Sequence, residues 1–194
     1  MPLQLAKRRR AASGIRRLEM TIDLLKDRIP DYAKDLRLNI GRVLTSEGAP
    51  GLSDIQIYGV ALASAYASKN LEVIDAFKAL SAPFFDESYH HGILSAVSIM
   101  AMNNIYYRGT GMVSEPSLAH LQTGLRMQVL ANPGIPKVDF EAYSLAVSVV
   151  NGCHYCVNSH ARKLFEAGIS PEGIQSILKI SAVVYGVSQV LSIQ

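Results

Sequence analysis

Cys153-His154-Tyr155-Cys156-Val157-Asn158-Ser159-His160 holds the only two cysteines in a chain of 194 residues. They stand three apart, and a histidine follows the second by four. Just before them, Asn151-Gly152 is a good helix C-cap pair. The octet therefore opens a new helix. Positions three, four and seven apart share one helix face. Cys153, Cys156 and His160 are thus expected on one stripe, as two thiols close enough to bridge with an imidazole beside the second.

Outward from the octet, nearly every segment reads as helix. On the C-terminal side the helix stops at Ala167-Gly168, and Ser170-Pro171 is an N-cap followed by proline at the first helical position. The last helix then runs to about Leu191. On the N-terminal side a helix is expected from about Phe140 to Val150. Asn132-Pro133-Gly134-Ile135-Pro136 is a firm stop. Residues 112–137 read less clearly. Leu118, Leu121, Leu125 and Val129 have helical spacing, but Gly124 interrupts them.

Further back, a long helix is expected from Glu87 to Tyr107, ended by Arg108-Gly109-Thr110-Gly111, and a shorter one over 71–80. Ser53 caps a helix with Ile57, Ala61, Leu62 and Ala65 on one side. Pro30-Asp31 restarts the chain into a segment reaching about Leu44, and Thr21 caps an apolar-periodic stretch from Ile22 to Ile29. There is no alternating run of the strand type. The expected fold is all-α, a single-domain helical bundle. A faint internal repeat runs through it. Tyr58-Gly59-Val60-Ala61 resembles Tyr143-Ser144-Leu145-Ala146, and Ile93-Leu94-Ser95 resembles Ile174-Gln175-Ser176. The first copy has no cysteines, and its Ser68-Lys69-Asn70 falls near where the CxxC would stand.

Composition narrows the function classes. Nearly half the residues are apolar, 49%, against 18% charged, which is a compact globular balance. The net charge of +3 is concentrated at the start. Residues 1–19 carry six Lys and Arg against one Glu, net +5, leaving the remainder at −2. The expected division is a basic N-terminal extension over 1–19, outside the fold, and one helical domain over 20–194. A mildly acidic body without a basic stripe argues against nucleic-acid binding. No uninterrupted apolar run reaches the roughly 18 residues of a membrane span. Two cysteines without a secretory leader point to a reducing, cytoplasmic setting, where a close pair is more often catalytic or metal-binding than structural.

The chemistry of the octet is that of a dithiol. Thiolate is the reactive form, and a free cysteine titrates near pH 8.5. Helix-start logic, with unpaired N–H groups and the positive dipole end, nominates Cys153 as the attacking sulfur. The His160 spacing nominates Cys156. Zinc is an alternative occupant, because Cys153, Cys156 and His160 supply three ligands. Structural zinc takes four, and Glu141 would have to be the fourth. His90, His91 and His120 read as surface or packing residues, and His154 as a solvent or interface residue. Leu145, Val149, Val183 and Val184 are candidates for an apolar substrate wall.

Adding Glu141 completes a pattern of Glu, eleven residues, Cys153, two residues, Cys156, three residues and His160. This resembles the signature of the alkyl hydroperoxidase D (AhpD) family of the carboxymuconolactone decarboxylase-like superfamily. The flanking blocks Pro30–Asp35, Met102–Gly109, Gly124–Met127 and Ala131–Pro136 share the resemblance, which covers about Met20 to the C-terminus.

The resemblance implies an all-helical antioxidant enzyme, a homo-oligomer and commonly a trimer, that binds no cofactor or metal of its own. In family terms Cys156 attacks an organic hydroperoxide, Cys153 resolves it into a redox-active Cys153–Cys156 disulfide, His160 is the base and Glu141 relays protons. It also implies a peroxiredoxin partner (AhpC) and electrons from a lipoyl-type dithiol on a dehydrogenase-complex subunit. Tyr155 is a departure, since relatives often carry histidine there. A dithiol electron carrier without peroxidase activity, a non-redox zinc or structural protein, and lactone decarboxylation are the rival readings.

Overall fold

A computed structural model describes residues 22–194. The basic stretch 1–19 and the Thr21 cap lie outside the described residues. Eight α-helices are described: α1 (Ile22–Asp27), α2 (Lys34–Val43), α3 (Asp54–Ser68), α4 (Leu71–Ser81), α5 (Glu87–Met112), α6 (Lys137–Val150), α7 (His154–Glu166) and α8 (Pro171–Ser192). No strand occurs among the described residues.

Helix α3 is central. Ser53 caps it through a capping box: its hydroxyl accepts from the Gln56 N–H, and the Gln56 side chain accepts from the Ser53 N–H at 3.0 Å. Such a cap contributes about 1 kcal/mol. The helix is apolar on every side rather than along one stripe, with Ile57, Val60, Ala61, Leu62, Ala63 and Ala65 all buried. An all-round apolar helix must be enclosed. It packs against α6 and α8, with α4 and α5 closing the remaining sides. At its contact with α6 the close approach depends on Gly59, where an added Cβ would run into the ring of Tyr143.

The repeat is visible in the packing. Helices α3, α4 and α5 recur as α6, α7 and α8. The α3–α8 contact has its counterpart in α5–α6, and α3–α4 in α6–α7. Asn70 caps α4 by accepting from the Val73 N–H, and Cys153 caps α7 by accepting from the Cys156 N–H. Val73 and Phe77 thus stand where Cys156 and His160 stand in the second copy, and both are fully buried. The first copy uses those positions for core packing.

One expectation is corrected, and one unclear segment is resolved. Helix α5 runs through Gly109 and Gly111 to Met112. A glycine costs a helix roughly 1 kcal/mol, which local anchors can offset. Here Thr110 Oγ1 donates to Tyr107 O, and Arg108 Nη1 donates to Asn151 O at 2.5 Å. Between α5 and α6 the leucine spacing does not make an α-helix. Only 3-10 turns form, at Pro116–His120 and Gln128–Leu130. Pro116 and Gly124 divide a segment too short to nucleate on its own.

Helix α8 is long and apolar enough, by length and composition, to cross a bilayer. Its apolar face packs on α2, α3 and α6, as expected of a core helix.

Candidate functional site

The second copy of the repeat, closed by α5, builds the site. The turn between α6 and α7 is tightly specified. Gly152 has φ 67°, a conformation that costs other residues roughly 1 kcal/mol or more. The Cys153 N–H returns to Ser148 O at 3.1 Å. A buried amide chain braces the turn from α5: Asn104 Nδ2 donates to Ser148 Oγ, and Asn151 Nδ2 donates to Asn104 Oδ1, each at 2.9 Å.

This turn delivers the CxxC. Cys153 and Cys156 are joined as a disulfide, with Cα atoms 5.3 Å apart. Cys153 sits before the helix with extended backbone instead of on its face. Its sulfur accepts from the Cys156 N–H at 3.3 Å. It is fully buried, at 0% exposure, whereas Cys156 lines a cavity. Of the two sulfur-bearing residues, Cys156 is the one that faces a cavity. Cys153 occupies the helix N-terminus, where a departing thiolate is stabilised by free N–H groups and the dipole.

The cavity measures about 140 Å³. A water's share of the liquid is roughly 30 Å³, so there is room for a hydroperoxide group and a short alkyl chain. Helix α7 contributes Cys156, Ser159, His160 and Lys163, and α5 contributes Met100, Asn103 and Tyr107. Met127, Leu130 and Tyr155 close the rim. Leu145 and Val184 are fully buried in the core, and Val149 and Val183 pack against that core. The apolar wall expected from them is supplied instead by α5 and the α5–α6 connection.

His160 is buried and held from both sides. Its Nδ1 lies 2.5 Å from Glu141 Oε2, a direct contact, and its Nε2 lies 3.1 Å from Met100 Sδ. An N–H at Nδ1 donating to the carboxylate leaves Nε2 as the basic nitrogen. Glu141 is also held by Lys163, whose Nζ donates to Oε1 at 2.9 Å. Burial pushes the Glu141 carboxyl up, but the hydrogen bonds and charges of His160 and Lys163 outweigh it and hold its pKa below the ordinary value. Glu141 thus remains a carboxylate at neutral pH.

The other histidines lie elsewhere. His154 is exposed and near Asn158, and His91 and His120 are exposed. His90 contacts the Tyr66 hydroxyl at 2.9 Å. Tyr155 points outward and stacks on Tyr107, with ring centres 5.1 Å apart. Burial, then the neighbouring Tyr155 and Tyr106, pushes the Tyr107 phenol up, so it stays protonated.

Among the described residues no cluster of three or more His, Cys, Asp and Glu is arranged to hold a metal ion. Lys163 and Met100 were not anticipated from the sequence. Lys163 had a legible signal, standing three residues after His160 on the same helix face. Met100 comes from a distant helix and had none.

Comparison with known proteins gives the family. The carboxymuconolactone decarboxylase family model matches residues 116–193, the part that carries the disulfide and its histidine. An alkyl hydroperoxide reductase AhpD of Coxiella burnetii is 48% identical over 169 residues, covering 87% of this chain and 96% of the relative. The chain belongs to the AhpD family. Other AhpD relatives show the same breadth. That of Rhodospirillum centenum is 44% identical, covering 89% of this chain and 91% of its own. That of Mycolicibacterium paratuberculosis is 43% identical, covering 89% and 94%.

Proposed function

We propose that this protein is a thiol-dependent alkyl hydroperoxide reductase whose working groups are Cys156, Cys153, His160 and Glu141. The observation that carries the reading is the placement of His160. It is locked to a carboxylate through Nδ1 and lines the same small cavity as Cys156.

In the reduced protein, His160 Nε2 takes the proton of the Cys156 thiol while Glu141 steadies the charge on the ring. The thiolate attacks the terminal oxygen of an organic hydroperoxide. A sulfur–oxygen bond forms, the O–O bond breaks, and the alcohol leaves with the proton returned by His160. The product is a sulfenic acid on Cys156. Cys153 then attacks that sulfur, water leaves, and the disulfide closes. An external dithiol restores both thiols by exchange. Attack at the cavity-lining Cys156 expels Cys153 as the thiolate, at a helix N-terminus suited to hold it.

The family resemblance supplies the remaining parts of the reading. A lipoyl-type dithiol on a dehydrogenase-complex subunit is the reductant, a peroxiredoxin of the AhpC kind is the electron acceptor, and the protein works as a homotrimer in the cytoplasm.

The two cysteines are separated by single substitutions in the presence of cumene hydroperoxide. Cys156→Ser is expected to abolish peroxide turnover. Cys153→Ser is expected to retain one turnover and to stop at a sulfenic acid on Cys156 that dimedone traps. Full turnover by Cys156→Ser would overturn the assignment.

A further inference from the structure

Asn103 and Asn104 are neighbours on α5, both buried, with unlike surroundings. Asn104 is fully engaged, to Ser148 and Asn151. Asn103 is 4% exposed and lines the cavity beside Cys156 and His160. Its side-chain Oδ1 is buried and finds no hydrogen-bond partner among the described residues. Leaving a buried polar atom unpaired is costly, so native proteins do so rarely. A leucine of similar volume would carry no such cost. The unpaired oxygen therefore marks an amide that the described residues leave open to a partner in the cavity.

We propose that Asn103 is a catalytic residue that binds the hydroperoxide group, and that its amide N–H stabilises the alkoxide oxygen as the O–O bond breaks. The inference rests on the peroxide-reducing reading of the site. A side-chain amide presents a donor and an acceptor, exchanged by rotation about χ2. In the Michaelis complex the carbonyl end accepts from the hydroperoxide O–H or the amide end donates to the inner oxygen. As Cys156 attacks the outer oxygen, the electron pair of the O–O bond collects on the inner one. A donor fixed there acts on charge that exists only in the transition state, which is how such donors accelerate reactions. His160 supplies the proton that completes the alcohol. Its Nδ1 is committed to Glu141, so the other ring nitrogen, beside Met100 Sδ, must serve the thiol first. A second polar group is needed at the inner oxygen during bond cleavage, and Asn103 is on the cavity wall.

The test compares Asn103→Leu and Asn103→Ala with the natural protein in the reduced state. Three readouts are taken: kcat/KM for tert-butyl hydroperoxide, the rate of Cys156 alkylation by iodoacetamide, and Tm. Alkylation needs the same thiolate but releases iodide, which requires no hydrogen-bond donor. The expected result is a loss of about a hundredfold in kcat/KM, the order found when one oxyanion donor is removed. Alkylation should change by less than about twofold, and Asn103→Leu should keep or raise Tm. A peracid, whose carboxylate leaving group needs less help, should show a much smaller loss than the alkyl hydroperoxide.

An equal loss in alkylation and peroxide turnover would overturn the proposal, because Asn103 would then be shaping the thiol. A kcat/KM within about twofold of the natural protein in both variants would overturn it as well. Absence of turnover in the unsubstituted protein would instead overturn the peroxide-reducing reading itself.

Discussion

Replacing Glu141 by glutamine keeps the shape of the side chain and removes its charge, which makes it the sharpest probe of the His160 pair. The two side chains are 7% and 14% exposed, so water screens them little. Their contact, at 2.5 Å, is a hydrogen bond to a charged group, a class that contributes about 1.5–3 kcal/mol. Should that stabilisation be felt mainly when His160 carries the thiol proton, its loss converts to about 10- to 150-fold in rate, at roughly 1.4 kcal/mol per factor of ten. The amide oxygen can still accept from Nδ1–H, which favours the lower half of that range.

The assay is kcat/KM for cumene hydroperoxide with dihydrolipoamide in excess, paired with iodoacetamide alkylation of the reduced protein. Both rates should fall together, because both draw on a thiolate made by His160. This distinguishes Glu141 from Asn103, where only the peroxide reaction should fall. Circular dichroism controls for the fold. If Glu141→Gln remains within about twofold of the natural protein in both reactions, the carboxylate does not act through His160 and the reasoning fails.

Two other perturbations follow from the same cluster. Lys163→Met removes the cation 2.9 Å from Glu141 Oε1, but that lysine side chain is 41% exposed, so the pair is worth at most about 1 kcal/mol. A loss of severalfold or less is expected, with the acid limb of the pH–rate profile moved to higher pH and largely restored in Lys163→Arg; an unmoved limb would remove Lys163 from the site. Glu141 is also an acid-stability element. Its folded pKa lies below the ordinary 4.5, so its stabilisation is present in full above that value and is lost as pH falls through the folded pKa. The urea midpoints of the natural protein and Glu141→Gln should therefore differ at pH 7 and draw together as pH falls below the ordinary carboxyl range, and a constant gap would contradict the linkage.

The parts of the fold that were legible in the sequence are those fixed by local chemistry. Ser53, Asn151-Gly152 and Ser170-Pro171 mark helix ends through groups only a few residues apart, and the structure places boundaries at each. Helix α5 overran its expected end because its last turns are held by Arg108 reaching Asn151, a contact between residues distant in the chain. The 112–137 segment read unclearly because its signals conflict. Its leucines keep helical spacing, but proline and glycine leave too few consecutive residues to form a helix.

The site divides in the same way. Cys153, Cys156 and His160 were found by spacing, as was Lys163 in principle, because they lie within three turns of one another. Glu141 needed the family pattern, since it stands on a different helix. Met100 and Asn103 could not be read at all. They look like any residues of a buried helix until α5 is packed against α7. That Cys153 is fully buried while Cys156 meets the cavity depends on the turn at Gly152 that sets the first sulfur before the helix, which is not a property of the CxxC motif.

The central claim is that the paired sulfurs cycle between dithiol and disulfide at the expense of a peroxide bond. It is tested most directly by mass spectrometry of the fully reduced protein before and after one equivalent of an organic hydroperoxide, without added reductant. The account predicts a loss of two hydrogens on the peptide that holds Cys153 and Cys156, with one equivalent of alcohol formed. Two free thiols alongside unconsumed peroxide would contradict it.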